Sequence, residues 1–187
     1  MDLEMTGLDP ERCSILEVAA IVTDDELQTV AELGPLVLRA SEEQLATMEP
    51  VVVQMHTLNH LLEDVRAATL TLEEAENAVV EFFAAHLPDP AQVPLCGNSI
   101  GTDRRFLARH MPRVEGMLHY RSVDVSSLKE LARRWYPSVI AAMPPKNPTH
   151  RALDDVRDSI AELRYYRSTM LREPERAISG EASPATG

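Results

Sequence analysis

Two carboxylates open the chain, Asp2 and Glu4 in the string Met1-Asp2-Leu3-Glu4. Residues two apart on an extended strand point to the same face, so both acids share one side of it. Carboxylates held that close repel unless a cation lies between them, and a divalent metal is the usual cation. A turn punctuated by Gly7 and Pro10 then ends the strand. A second candidate is Asp103, in Cys96-Gly97-Asn98-Ser99-Ile100-Gly101-Thr102-Asp103. Gly97 to Gly101 reads as a small-residue turn, and Asp103 opens an amphipathic helix with Phe106, Leu107, His110 and Met111 inward. The same position suits an acid that merely caps that helix or complements its dipole. The third candidate is His150-Arg151-Ala152-Leu153-Asp154-Asp155, at the start of the last strong helix. Leu153, Val156, Ile160 and Leu163 make one buried stripe, and Asp155 lies off it. Asp154 points roughly 100° away from Asp155 around the helix and reads as a first-turn acid favoured by the dipole. His150 precedes the helix in a proline-rich loop, from which its imidazole can reach a site that Asp155 helps to form.

The elements that must position these groups alternate. Ile15 to Thr23 is a β-branched and aliphatic run with polar ends, a buried strand, and Leu36 to Leu38 reads as its neighbour. Ser41 to Met48 begins with a capping box and is helical. Another helix runs from Thr71 to about His86 with Ala75, Ala78, Val79, Phe82 and Phe83 inward. Val93 to Cys96 and Val123 to Val125 are short strands, and Ser126 caps a helix ending at Trp135. This order predicts an α/β fold in one domain, residues 1–172. The polar, small-residue stretch 173–187 is predicted to be a disordered tail.

Bulk properties narrow the classes. At 187 residues with 44% hydrophobic content the chain can bury a substantial core. No run of about 18 apolar residues suggests a membrane span, and the N-terminus has no export signal, so a cytoplasmic protein is expected. Cys13 and Cys96 lack a CxxC arrangement and read as thiols in a reducing compartment. Thirty acids against eighteen Lys and Arg give a net charge of −12. A protein that tracks long nucleic acid normally carries a basic stripe, because phosphate neutralisation drives its affinity. A long polynucleotide partner is therefore not expected.

Taken together the three segments resemble the DEDDh family of 3′–5′ exonucleases, and within it the oligoribonuclease branch. That family has Asp-x-Glu on a first strand, a middle Asp at a helix start and His-x-x-x-x-Asp on a late helix. Asp2, Glu4, Asp103, His150 and Asp155 match those positions. The closer match rests on Asp2-Leu3-Glu4-Met5-Thr6-Gly7-Leu8, Cys96-Gly97-Asn98-Ser99-Ile100-Gly101, His119-Tyr120-Arg121 and the run from Asp124 to Trp135. It extends from Asp2 to about Leu171.

The resemblance implies a ribonuclease-H-like fold, a mixed central sheet flanked by helices. It implies an enzyme that removes 5′-mononucleotides from the 3′ end of very short RNA, dinucleotides above all. Two divalent ions about 3.5–4 Å apart can neutralise a phosphodiester, activate water and stabilise the leaving oxygen. Asp2, Glu4, Asp103 and Asp155 would hold two Mg²⁺ or Mn²⁺ ions through hard oxygen ligands. His150 would be the general base, since imidazole is the side chain suited to proton transfer near neutral pH. Leu8 matches a wedge residue against a base, and Ser99, Arg121 and Ser126 match residues enclosing the far phosphate of a dinucleotide. Tyr120 matches an active-site tyrosine that reaches across a symmetric homodimer, and His56 a site-facing histidine. Val51 stands where some relatives place a stacking tryptophan, a contact worth about 1–3 kcal/mol per base. Family members also carry apolar residues before Asp-x-Glu that form a central strand, whereas this chain starts at Met1. The implied first strand is cut short, with Asp2 on a fraying end. Upstream residues of strand character are then expected to raise stability and turnover. Two other readings stay open: an exonuclease of longer RNA or DNA, and a nucleotide-binding protein with impaired catalysis.

Overall fold

The computed structural model describes residues 1–145 and 149–171. Along the chain come strands β1 (Asp2–Met5), β2 (Ile15–Thr23) and β3 (Thr29–Val37), then helices α1 (Glu42–Leu45), α2 (Pro50–Leu58), α3 (Leu61–Ala67) and α4 (Leu72–His86). Strand β4 (Pro94–Gly97), α5 (Gly101–His110), α6 (Pro112–Met117) and β5 (His119–Asp124) follow, and α7 (Val125–Trp135), α8 (Pro137–Ala141) and α9 (Ala152–Met170) complete the order. The expected tail from Glu173 onward lies outside the described residues. Among the described residues no helix is long and apolar enough to cross a membrane.

Strands β1, β2 and β3 form an antiparallel sheet in that order, and β4 and β5 a parallel pair. Parallel neighbours need a crossover, and α5 and α6 provide it. The α/β expectation holds, with antiparallel and parallel pairing both present, partitioned into two ladders. The ladders meet at the N-terminus, where the Met1 amine donates to the Cys96 carbonyl at 3.0 Å. Met1 is 7% exposed and belongs to the main core cluster. The end expected to fray is thus tied down, by burial of the Met1 side chain and by that hydrogen bond.

Strand period and register decide what faces what. Leu3 pairs with Val18, and both enter the core with Val79, Phe82, Phe83, Phe106 and Leu107 from α4 and α5. Asp2 pairs with Ala19 and Glu4 with Glu17, so these four point to the opposite face. There α9 packs on β2, with Ala19, Ala152 and Val156 in one buried cluster. The acids of β1 are therefore turned toward the helix that carries Asp155.

Local signals account for most element boundaries. Ser41 with Gln44, and Thr71 with Glu74, form reciprocal capping boxes that start α1 and α4. The cap of α7 differs from expectation: it is Asp124, whose carboxylate accepts the Ser126 amide at 2.9 Å and the Ser126 hydroxyl at 2.6 Å. A carboxylate accepts both donors at once, so it outcompetes the hydroxyl for the role.

Candidate active site

One carboxylate oxygen each from Asp2, Glu4 and Asp155 lie within 4.8 Å of one another. Two come from adjacent same-face positions of β1 and the third from the first turn of α9. Burial pushes Asp2 up to about 8, with the charges of Asp103 and Asp155 adding to the shift. Burial likewise pushes Glu4 up to about 9, reinforced by Asp2 and Asp155. A set of acids this mutually repulsive ionises together most readily around a cation, and hard carboxylate oxygens suit a divalent ion.

Asp103 is 5% exposed and joins the group through its field rather than through the 4.8 Å contact set. Burial moves it up to about 6, against the lowering effect of the amides it accepts. One of those is the Leu3 amide at 3.0 Å, donated from β1 to Asp103 Oδ1. The cap of α5 is Ile100 and makes no side-chain bond, so Asp103 is not the cap that its place at a helix start allowed. Its carboxylate instead supports the strand between Asp2 and Glu4.

His150 is exposed and shares a cavity of about 590 Å³ with Asp2, Asp155, Ser99 and Ser126. Its backbone is in the left-handed region, φ 50, just before α9. The Asn59 side-chain amide donates to the His150 carbonyl. Lys129 and Arg133 line the same cavity and bring positive charge to it. Asp154, by contrast, accepts the Thr149 hydroxyl at 3.1 Å and pairs with Arg157 on its own helix, as a first-turn surface acid does.

The other candidates divide. Ser99 and Ser126 lie on the cavity wall, both bonded to Asp124: the Ser99 amide donates to it at 3.0 Å. Leu8 is 72% exposed and borders a neighbouring cavity of about 460 Å³ together with Val51. Val51 also borders a cavity of about 710 Å³ that His150 helps to line. His56 is fully buried, its Nε2 3.0 Å from the Met5 carbonyl and its Nδ1 3.9 Å from Glu4. Nε2 must carry the proton for that bond, which leaves Nδ1 an acceptor facing Glu4 without a hydrogen-bond partner. Tyr120 is 73% exposed on β5, with the Arg121 guanidinium 5.4 Å above its ring. Neither borders the carboxylate cavity in the single chain.

Sequence reasoning passed over Glu17, Asn98, Lys129 and Arg151. Glu17 was visible as the single charge inside the apolar run of β2. Asn98 donates to Ser159 and to the buried Glu162 beneath the cavity, and Lys129 lies 3.7 Å from Glu162. Ser159 and Glu162 stand 61 and 64 residues after Asn98, beyond what local spacing signals.

The RNase_T exonuclease family matches residues 1–163. An oligoribonuclease of Streptomyces griseus is 53% identical over 170 residues, 91% of this chain and 84% of the relative. One of Vibrio vulnificus is 51% identical over 172 residues, 92% of this chain and 94% of the relative. Among solved structures, a moderately thermophilic exonuclease I from Methylocaldum szegediense superposes with a TM-score of 0.64 at 22% identity, over 90% of this chain and 40% of that one. That last likeness bears on the fold alone.

Proposed function

Because the chain belongs to the oligoribonuclease family of exonucleases, we propose that its carboxylate cavity hydrolyses very short RNA from the 3′ end, dinucleotides above all. The chain is a 3′–5′ exoribonuclease of short RNA. The observation that carries the finer reading is the convergence of Asp2, Glu4 and Asp155, with Asp2 and Asp155 lining one cavity with His150. Asp2, Glu4, Asp103 and Asp155 would hold two Mg²⁺ or Mn²⁺ ions. Bound there, the ions supply charge neutralisation at the phosphodiester and lower the pKa of the attacking water. The His150 imidazole takes the proton of that water, and its exposure gives it access to solvent.

Ser99 and Ser126 on the cavity wall enclose the terminal phosphate of the substrate, and Arg121, next to Tyr120, completes that enclosure in the partner's cavity. Arg suits that by its planar, always-charged fork. Leu8 packs against a base, and Tyr120 serves the partner's cavity in a symmetric homodimer, which accounts for its exposure in the single chain. His56 orients the site from beneath, through Met5 and Glu4. The free thiols of Cys13 and Cys96 suit a reducing cytoplasm. The preference for very short RNA is supported by the net charge of −12, which leaves little cationic surface for a long backbone.

Hydrolysis of a labelled dinucleotide beside a labelled twelve-nucleotide RNA, with Mg²⁺ and with EDTA, tests the proposal. Faster Mg²⁺-dependent turnover of the dinucleotide supports it. Preference for the longer RNA removes the length assignment, and binding without hydrolysis removes the catalytic one.

A further inference from the structure

Glu4 is not the only glutamate at its position in the sheet. Its cross-strand partner in β2 is Glu17, on the same face and fully buried. Like charges directly opposite destabilise a strand pair, and Glu17 contributes to the upward shifts of both Asp2 and Glu4. A fifth acid among the metal-binding carboxylates thus needs its own counter-charge.

That counter-charge is Arg151, the residue between His150 and the first residue of α9. Its Nη2 and Nε lie 2.7 and 2.9 Å from Glu17 Oε2, while the Ala152 amide donates to Glu17 Oε1 at 2.8 Å. Glu17 therefore accepts three bonds from two consecutive residues. The guanidinium continues outward to Asp64 at 2.9 Å and to the Asn59 carbonyl at 3.4 Å. The Asn59 side chain in turn donates to the His150 carbonyl. The peptide on the N-terminal side of α9 is held at both ends, by Asn59 before Arg151 and by Glu17 after it. Between these ties His150 sits with φ 50, a conformation that a non-glycine residue keeps only when its surroundings enforce it.

We infer that the Glu17–Arg151 pair, its carboxylate fully buried, is a positioning lock, which fixes His150 against the strand pair bearing Asp2 and Glu4. This rests on the reading of His150 as the general base. Neither Glu17 nor Arg151 lines the cavity that Asp2, Asp155 and His150 share. The pair keeps Glu17 from acting as a further metal ligand, and it converts a loop residue into one with a defined reach. Misplacing a catalytic group by about 1 Å costs about 100-fold in rate, so release of the lock should appear in turnover before it appears in binding.

The test is steady-state hydrolysis of a dinucleotide by the full chain carrying Arg151→Gln, Arg151→Lys or Glu17→Gln. Each is made with and without His150→Ala, and Mn²⁺ affinity is measured by calorimetry. Arg151→Gln is expected to lower kcat about 100-fold, with KM and Mn²⁺ affinity each within about threefold of the parent. Arg151→Lys retains the charge but not the two-pronged geometry, and is expected to recover about a tenth of parental kcat. It also keeps Glu17 paired, so it reports on the lock even where Arg151→Gln fails to fold. In the His150→Ala background, Arg151→Lys should lower kcat no further, because its effect passes through a group already removed. An equal loss in both backgrounds, or parental kcat in Arg151→Lys and Glu17→Gln, overturns the lock. His150→Ala with parental turnover overturns instead the assignment of the base, whatever the Arg151 variants do.

Discussion

Replacing Asp155 with asparagine should stabilise the metal-free protein while abolishing its turnover. The oxygens of Asp2, Glu4 and Asp155 lie within 4.8 Å of one another. Two full charges at that distance repel by about 3–4 kcal/mol at an effective dielectric of about 20. Without metal, Asp2 and Glu4 keep their protons: burial first, and then the charges of the neighbouring acids, hold them at about 8 and about 9. Both folded values are raised above those of the unfolded chain, near 4. The stability they contribute is therefore fully present below about pH 4 and is lost as pH rises toward 8–9. The Asp155→Asn amide keeps the shape of the carboxylate and removes its charge, so it lowers both values and flattens that loss. The two acids titrate as one coupled group, and a gain of about 1–3 kcal/mol at pH 8 is the expected scale. For a chain of this size that corresponds to a rise of roughly 3–9 °C in Tm. Thermal melts in EDTA at pH 5, 7 and 8.5 should show the variant's advantage growing with pH. Added Mg²⁺ should stabilise the parent most at high pH, since binding displaces protons, and should stabilise the variant much less. A variant less stable than the parent in EDTA at pH 8.5, or a difference that does not change with pH, would refute the electrostatic argument.

Four further outcomes rest on the same geometry. Asp103→Ala should lose turnover and also about 1–3 kcal/mol of stability, because the buried Leu3 amide loses its acceptor; Asp103→Asn should lose turnover with a smaller change in urea midpoint. Asp154→Ala should retain near-parental kcat, since among the described residues its side chain bonds to Thr149 and Arg157, away from the carboxylate cluster; an inactive Asp154→Ala beside an active Asp155→Ala would reverse the assignment of the helix face. His150→Ala should lower kcat by about 10²–10⁴-fold while calorimetric Mn²⁺ binding persists. Sedimentation at micromolar concentration should give twice the chain mass, and Tyr120→Ala should lower turnover without changing that mass; a fully active monomer would remove the cross-subunit role.

The carboxylate motif was legible because strand period and helix period alone put Asp2 with Glu4 and separate Asp155 from Asp154. The strand at Ile15–Thr23 and the helix at Leu72–His86 were equally plain, each being a long run of one hydrophobic period with polar or capping ends. Other elements were hidden by conflicting local signals. Strand β3 reads in sequence as Leu36–Leu38 only, because Gly34-Pro35 looks like a break; it runs from Thr29 because an exposed edge strand tolerates proline. Helix α2 was missed because Val51-Val52-Val53 is β-branched, a weak preference that Pro50 at the first turn and tertiary packing override. Helix α3 starts after His60 at φ 64, with Asn59 accepting the Leu61 amide, a turn that residue types alone do not announce.

What no local pattern encodes is the pairing of charges across the fold. Glu17 and Arg151 are 134 residues apart, and Leu3 and Asp103 are 100 apart. Each pairing exists only once β1, β2, α5 and α9 have met. The sequence names the acids that repel one another, but their tolerance of that repulsion depends on partners recruited from elsewhere in the chain. Asp103 shows the consequence, because one carboxylate both raises the Asp2 pKa and accepts the amide of the residue beside it. A site arranged in this way carries its own strain: the groups that hold β1 in place are among the groups that make its acids hard to ionise. Removing the Asp155 charge should favour the fold and harm the reaction. That opposing pair of effects separates a catalytic cluster from a surface patch of acids, where the same change would alter neither by much.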